Sequence, residues 1–284
     1  MTAATTAAIV LAGGRSTRMG RPKADLEWHG STLLRRAAGI AGRAVDGPVV
    51  VVRAPGQALP ELAAGTEIAE DATAGRGPLA GLAAGLQALG EGTEVVYVTG
   101  VDAPFLHPAF VRRVLALLGP RHDVALPHAH GFPQPLAAAY RVATVAPALR
   151  ALLAEDPQPG SRALLRRCRV AELDEATLLG DPGVAALDPA LDSLRNVNDP
   201  AAYEDARRRP APAITVSVDG GAARPHAAAT LLAAIRAAGC GLDGVAATVD
   251  GRATGEPQEP LVAGDRVALR TRPARHGGPR RGQA

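Results

Sequence analysis

The residues best suited to chemistry lie in the segment LAGGRSTRMGRPK, which covers residues 11–23. Its paired glycines, Gly13 and Gly14, allow a tight turn that brings backbone N–H groups close to an anionic ligand. Arg18 and Lys23 add positive charge to the same segment. This arrangement predicts a site for phosphate groups, although a strand-to-helix turn with solvated basic side chains would show the same residue types.

Lys23 is the only lysine among the 31 basic residues of the chain, and the rest are arginines. A position that keeps lysine in such a composition indicates a need for a compact ammonium group. Lysine presents a point charge that reaches between phosphate oxygens, whereas arginine presents a planar fork. We therefore predict that Lys23 contacts phosphate.

Two aspartates follow predicted strands and are candidates for a cation site, Asp71 and Asp102. Open α/β sheets bind ligands at the carboxyl ends of their strands. Mg²⁺ usually takes one or two carboxylates together with phosphate oxygens, so Asp102 opposite a phosphate-binding loop predicts Mg²⁺ as the cofactor. Both aspartates also suit the N-cap of a following helix, which is the purely structural explanation.

Short apolar runs alternate with helical periodicity through the first 209 residues. This order predicts an α/β fold with a Rossmann-like, doubly wound and mostly parallel sheet. The predicted strands are Ala8–Ala12, Val49–Val52, a short run ending at Asp71, Glu94–Thr99, Val124–Pro127 and Pro135–Tyr140, with one of the last two antiparallel at an edge. The predicted helices are Thr32–Ala44, one that begins at Pro78, one that carries Phe110 to Leu118, Val142–Leu153 and Ala163–Arg167.

A second domain is expected after the charged, proline-containing run 207–212. We place the boundary so that one domain covers residues 1–209 and the other residues 210–284. Predicted elements of the second are a strand Ile214–Asp219, a helix Ala227–Ala238, and strands Val245–Asp250 and Arg266–Thr271. This order predicts a small β-grasp (ubiquitin-like) domain, followed by a disordered basic tail.

Composition excludes several classes of function. The formal net charge of +3, contributed entirely by residues after 209, is too small for a nucleic-acid surface. Cys168 and Cys240 have no metal-binding spacing and form at most one disulfide, which favours a reducing compartment. No helical candidate reaches the ~20 apolar residues of a membrane span, and no signal peptide is recognised. We expect a soluble cytoplasmic protein with neither nucleic acid nor membrane as a partner.

Five motifs follow one another along the first domain: LAGGRSTRMGRPK, GRGPLAGL, VTGVDAP, PQPLAAAYR and LRNVNDPAAY. In this order they resemble the molybdenum cofactor guanylyltransferase family, over roughly residues 7–206. The first motif is shared by many nucleotidyltransferases that activate sugars and cofactors. Its combination with GPLAG and NVNDP is far more specific.

The resemblance implies roles for individual residues. It assigns the backbone of Leu11, Ala12, Gly13 and Gly14 to GTP, Lys23 to its phosphates, Asp71 to the nucleoside end, Asp102 to both GTP and Mg²⁺, and Asn196 and Asn198 to the acceptor side. Two positions depart from the family pattern. Val52 stands where the family often has Asn, and Gln134 stands where His commonly precedes the proline.

The activity implied is transfer of GMP from GTP to the molybdopterin (molybdenum) cofactor, which gives its guanine dinucleotide form and pyrophosphate. The attacking phosphate monoester is already largely ionised at pH 7, so no general base is required. Catalysis then rests on positioning and on charge neutralisation by Arg18, Lys23 and Mg²⁺ held on Asp102. Further partners consistent with this activity are molybdoenzymes or other proteins of cofactor biosynthesis.

The second domain resembles small β-grasp sulfur carriers over about residues 214–278, through LVAGDRVAL and His276-Gly277-Gly278. Such carriers need a free Gly-Gly terminus, so residues 279–284 would have to be removed. A docking or stabilising module is the favoured interpretation, because likeness of fold is weak evidence for function. For the whole chain the alternatives are a cytidylyltransferase of the same cofactor, a nucleotidyltransferase for another phosphate acceptor, and a non-enzymatic carrier or scaffold.

Overall fold

The computed structural model describes residues 5–13, 19–71, 77–129 and 131–271. The chain divides into two compact units, Met1–Pro210 and Ala211–Ala284. Among the described helices, none has the length and apolar character needed to span a membrane. Cys168 and Cys240 are both free thiols.

Ten strands, eight α-helices and two 3-10 helices, Lys23–Asp25 and Asp192–Leu194, are described in the first unit. The strands are β1 Thr6–Leu11, β2 Glu27–Trp28, β3 Ser31–Thr32, β4 Val49–Arg53, β5 Thr66–Glu70, β6 Val95–Gly100, β7 Val124–Ala129, β8 Phe132–Pro133, β9 Ala137–Arg141 and β10 Val170–Leu173. The helices are α1 Leu33–Gly42, α2 Pro78–Ala88, α3 Pro108–Ala116, α4 Val142–Glu155, α5 Ser161–Leu165, α6 Glu175–Leu179, α7 Pro182–Leu187 and α8 Pro200–Arg208.

The main sheet has the order β10-β7-β9-β6-β1-β4-β5, and β8 pairs with β7. The pairs β6–β1, β1–β4, β4–β5 and β10–β7 are parallel, which confirms the prediction of a mostly parallel α/β sheet. The prediction of an antiparallel strand at an edge is wrong in its position. Strand β9 is antiparallel, but it lies inside the sheet, between β6 and β7.

Strand β1 is buried along both faces of the sheet. Ile9 packs with α2 residues such as Leu82 on one face, and Val10 packs with α1 residues such as Leu34 on the other. A strand covered by helices on both sides requires a continuous apolar run, and the sequence of β1 is such a run. Helix α1 begins at Leu33 because the Thr32 hydroxyl accepts the N–H of Arg35 as an N-cap.

The second unit has its own five-stranded sheet. Its elements are β11 Ala213–Val218, β12 Arg224–Ala227, α9 Leu231–Ala237, β13 Val245–Val249, β14 Arg252–Thr254 and β15 Arg266–Thr271. The order is β12-β11-β15-β13-β14, with β11 and β15 parallel and the other pairs antiparallel. The predicted helix start at Ala227 is wrong, because Ala227 belongs to β12 and Thr230 caps α9.

Candidate active site

Four parallel strands of the first unit end at one edge of the sheet. In the order β6-β1-β4-β5 they all run the same way, so their carboxyl ends lie side by side. Asp102 comes two residues after β6, and Asp71 comes directly after β5. Adjacent strands are about 4.8 Å apart, so three spacings place the two aspartates roughly 14 Å apart along this edge. They share the edge, with the ends of β1 and β4 between them.

Lys23, Asp102 and Asn198 form a polar cluster at this edge, called the Lys23 cluster below. The Lys23 Nζ atom donates to Asp102 Oδ2 and to Asn198 Oδ1, each at 3.0 Å. The side chains of Lys23 and Asp102 are 17% and 25% exposed, so the ion pair is partly shielded and still accessible to a ligand. Three segments that are distant in the chain therefore meet at one ammonium group.

A backbone contact holds Asn198 beside Asp102. The N–H of Val197 donates to the carbonyl oxygen of Asp102 at 2.8 Å. Val197 is buried in an apolar group that includes Trp28 of β2 and Tyr203 of α8. Because α8 begins two residues after Asn198, its packing against β2 sets where the Asn198 side chain lies.

Two further contacts support the turn that carries Asp102. A Cβ atom on Gly100 would lie 2.7 Å from Asp102 Oδ1, so a larger residue there would displace the carboxylate from its position at the end of β6. Arg36 of α1 is buried and donates through Nε to the carbonyl oxygen of Pro104 at 2.5 Å. The carboxylate is thereby oriented by the fold itself, as preorganised sites require.

The backbone after β1 is also held by the sheet. The N–H groups of Ala12 and Gly13 both donate to the carbonyl oxygen of Val52, at 2.8 and 3.1 Å. A Cβ atom on Gly13 would lie 3.0 Å from the Ala54 nitrogen, which explains glycine at this position. These two N–H groups are engaged within the protein, so a ligand at Leu11, Ala12 or Gly13 would meet other backbone atoms.

The remaining predicted residues have separate positions. The N–H of Asp71 donates to the carbonyl oxygen of Arg53 at 2.9 Å and so prolongs the β4–β5 pairing. Asn196 is exposed, and within the described ranges no hydrogen bond joins it to the Lys23 cluster. The predictions for Gly14 and Arg18 fall outside the described residues.

The two departures from the family pattern have local explanations. Val52 is buried with Leu11 and Leu79 in the core, so its side chain brings no polar group to the edge. Gln134 donates through Nε2 to the carbonyl oxygen of Phe132 at 3.4 Å, which is a contact within its own hairpin.

The donor set of the Lys23 cluster fits a divalent cation bound together with phosphate. Within the described residues, no three His, Cys, Asp or Glu side chains come together as a metal site. The Asp102 carboxylate and the Asn198 amide oxygen nevertheless converge on a single positive centre, Lys23 Nζ. Mg²⁺ prefers such oxygen donors and usually takes only one or two carboxylates from the protein, with phosphate oxygens and water as its other ligands.

Sequence reasoning missed the residues that act through backbone contacts. Arg36 and Val197 hold the Asp102 turn through main-chain atoms, and Gly100 does so by lacking a side chain. The glycine two residues before Asp102 was a visible signal, since a close approach is a common reason for glycine at a strand end. The two backbone contacts have no signature in residue type.

The first unit is an α/β domain with a lysine and an aspartate paired near the carboxyl edge of its mostly parallel sheet. Residues 8–175 match the model of the MobA-like NTP transferase domain, and the chain belongs to that family. Among solved structures, a molybdopterin-guanine dinucleotide biosynthesis protein A from Archaeoglobus fulgidus has a TM-score of 0.55 at 21% identity and covers 71% of this chain and 96% of that one. A nucleotidyl transferase from Methanothermobacter has a TM-score of 0.51 at 18% identity, covering 72% and 96%. These two likenesses show the fold.

Curated relatives are similar in sequence over part of the chain. A probable molybdenum cofactor guanylyltransferase of Mycobacterium avium is 44% identical over 108 residues, which is 37% of this chain and 53% of that protein. One of the same name from Opitutus terrae is 38% identical over 147 residues, or 51% and 71%. The chain thus spans about half the length of the mycobacterial relative.

Proposed function

We propose that the first unit is an enzyme that transfers GMP from GTP to the molybdopterin form of the molybdenum cofactor and releases pyrophosphate. The observation that carries the proposal is the convergence of Lys23, Asp102 and Asn198 at the carboxyl edge of the sheet. Membership of the MobA-like NTP transferase family and the names of the curated relatives support this pair of substrates. We place the reaction in the cytoplasm.

The Lys23 cluster supplies what phosphoryl chemistry needs. An oxygen of the acceptor phosphate forms a bond to the α-phosphorus of GTP while the bond to the leaving pyrophosphate breaks, in line. The acceptor oxygen is already ionised, so the residues position the reactants and neutralise charge. Lys23 would contact phosphate oxygens, Asn198 would orient the acceptor side, and Asp102 would hold Mg²⁺, which when bound adds neutralising charge at the phosphates.

The nucleoside end is proposed to lie toward Asp71, three strand spacings along the same edge from Asp102. A nucleotide extended along the edge would pass the carboxyl end of β1. There the backbone of Leu11, Ala12, Gly13 and Gly14 is its proposed contact. Arg18 is the further proposed phosphate contact.

The experiment that tests the proposal compares four nucleotides with one acceptor. Full-length protein with Mg²⁺ is heated with GTP, CTP, ATP or UTP, and GTP is expected to raise the unfolding temperature most. With molybdopterin added, mass spectrometry should find the guanine dinucleotide and equimolar pyrophosphate, and Lys23→Ala should form neither at a comparable rate. A preference for CTP would replace guanylyl by cytidylyl transfer. If product forms only with a different phosphate acceptor, the assignment of molybdopterin as the acceptor is wrong. If no nucleotide binds, the remaining alternative is a non-enzymatic carrier or scaffold.

For the second unit we propose a β-grasp fold that serves as a docking or stabilising module. The support is the strand order second-first-fifth-third-fourth, with the first and last strands parallel in the centre of the sheet. Its partners would be molybdoenzymes or other proteins of cofactor biosynthesis. The sulfur-carrier alternative predicts that intact-mass measurement on protein from its native host finds a chain ending at Gly278. A mass with Ala284 retained in every species would contradict that alternative.

A further inference from the structure

One glutamine of the loop after β4 contacts the backbone at the end of β1. Gln57 donates through Nε2 to the carbonyl oxygen of Ala12 at 3.2 Å, and its Oε1 accepts the N–H of Ala54 at 3.0 Å. The direction of the amide is fixed by these partners, because a carbonyl oxygen only accepts and a backbone N–H only donates. Gln57 is half-buried, so both contacts are partly shielded from water.

This contact completes the fixation of the peptide group between Ala12 and Gly13. The N–H of that peptide belongs to Gly13 and donates to Val52 at 3.1 Å, while its carbonyl oxygen accepts from Gln57. Both polar groups of one peptide plane are therefore held by the strand end and loop of β4. The plane sets the direction of the backbone at Gly13, immediately after β1.

The same loop is anchored on the strand that precedes Asp71. Glu70 Oε2 accepts from Arg53 Nε at 3.1 Å and from the N–H of Gly56 at 3.4 Å. Arg53 also donates through its guanidinium to the carbonyl oxygen of Gln57 at 3.2 Å. A continuous set of contacts thus runs from Glu70, through Arg53 and Gln57, to the end of β1.

We propose that Gln57 is a positioning residue for nucleotide binding. It acts through the Ala12–Gly13 peptide, whose orientation it fixes, and it keeps that peptide in register with the end of β5, where Asp71 lies. The inference rests on the proposed nucleotide site and adds a residue to it. Loss of the Gln57 amide would leave this peptide held by the Gly13 N–H alone, with its carbonyl less firmly oriented, and would weaken nucleotide binding more than turnover of bound nucleotide.

Gln57→Met tests this, because methionine keeps the length and volume of the side chain and removes both hydrogen bonds. Gln57→Glu keeps the acceptor for Ala54 but sets a carboxylate against the Ala12 carbonyl oxygen. We expect the KM for the nucleotide to rise about tenfold in Gln57→Met and further in Gln57→Glu, as for loss of one or two partly buried hydrogen bonds. The kcat should change by less than about threefold, because the hydrogen bonds of Gln57 are expected to support nucleotide binding and not the chemical step. Gln87→Met, at the exposed end of α2, is the matched control and should change neither constant.

The outcomes separate this inference from the proposed function. If wild-type protein prefers another nucleoside triphosphate to GTP, the guanylyl assignment fails, and the same KM comparison is made with the preferred nucleotide. An unchanged KM in both Gln57 variants overturns the positioning role, as does a lower unfolding temperature with unaltered KM, which would mean a purely structural contact. A wild-type protein that binds none of the four nucleotides overturns both proposals.

Discussion

Two ion pairs of the first unit, Asp123–Arg169 and Asp102–Lys23, differ in the number of hydrogen bonds that the carboxylate accepts from its partner. At the start of β7, Asp123 accepts from Arg169 at both oxygens, at 2.9 and 3.0 Å, and from the Arg169 backbone N–H at 2.9 Å. These hydrogen bonds hold the pKa of the Asp123 carboxyl well below its ordinary value. At the other pair, the described contacts of the Asp102 carboxylate reach one oxygen, from one ammonium group.

The difference separates a structural ion pair from a pair suited to a ligand. The planar guanidinium of Arg169 matches the carboxylate of Asp123 and joins the starts of β7 and β10. The ammonium group of Lys23 is a point charge, and it donates both to the Asp102 carboxylate and to the neutral amide of Asn198. A geometry of this second kind can exchange partners when a phosphate arrives, whereas the first is already saturated.

The largest expected effect is on turnover at the Lys23 cluster. Lys23→Ala and Asp102→Asn should lower kcat by a factor on the order of 10² or more, because each removes a preorganised charge contact. The free energy of unfolding should stay within about 1 kcal/mol of wild type, as for substitutions outside a core. Pyrophosphate release and urea denaturation measure the two quantities. Lys23→Arg should also be impaired, since a fork does not replace a point charge. Wild-type turnover in Lys23→Arg would remove the reason given for the lone lysine.

A smaller effect is expected at Asn198, the neutral member of the cluster. Asn198→Ala removes one acceptor from Lys23 and should lower kcat/KM about tenfold, in line with one hydrogen bond to a charged group. Asn198→Asp keeps an oxygen acceptor for Lys23 but adds a negative charge beside the phosphates, so any recovery should be smallest at low ionic strength, where the repulsion is least screened. Asn196→Ala is the comparison variant, and its expected loss is smaller because, within the described residues, Asn198 and not Asn196 accepts from Lys23. A larger loss in Asn196→Ala than in Asn198→Ala would show that the contact with Lys23 does not mark the more important of the two asparagines.

The structural pair should show the opposite pattern, with stability affected and turnover unchanged. The pKa of Asp123 is lowered in the folded state from about 3.8, mainly by the side-chain hydrogen bonds from Arg169. Its stabilising contribution is therefore present above pH 4 and is lost as the pH falls below that value. Asp123→Asn should lower the unfolding temperature by a few degrees at pH 7, and by much less at the lowest pH at which the protein still folds. An equal decrease in unfolding temperature at both pH values would show that the Asp123–Arg169 pair does not make the stability depend on pH.

The elements of the edge could be predicted from sequence because each depends on a local pattern. The apolar run of β1 and the position of Asp102 just after a strand are properties of neighbouring residues. The same holds in the second unit, where β15 occupies the predicted residues Arg266–Thr271. The inner position of β9 could not be predicted, because its residues, Ala137–Arg141, have the same apolar pattern at an edge or inside a sheet. Strand order is decided by packing of distant segments.

The same limit applies to the candidate site. Lys23, Asp102 and Asn198 were each predicted as site residues, but their mutual contact joins positions 79 and 175 residues apart. The contact of Asn198 with Lys23 depends on α8 packing against β2, and no local pattern encodes that packing. The hydrogen bonds from the Ala12 and Gly13 N–H groups to the Val52 carbonyl oxygen were also not predicted. Their partner lies on β4, and the pairing with that strand continues one residue beyond the apolar run of β1.

Removal of the second unit is expected to have the smallest effect on both ion pairs and on the binding site that contains one of them. Lys23, Asp102, Asn198, Asp123 and Arg169 all precede residue 211, and so do Asp71 and the backbone at the end of β1. The two units have separate sheets and separate apolar cores, so a chain of residues 1–210 is expected to fold and to bind GTP with an affinity within about threefold of the full-length protein. Isothermal titration with GTP and Mg²⁺ measures this, and circular dichroism during heating checks that the fragment unfolds cooperatively. The Lys23→Ala variant of the same fragment serves as the control for specific binding. An insoluble fragment, or one that folds but no longer binds GTP, would contradict the view that the ligand-binding pair and the structural pair both work within the first unit alone.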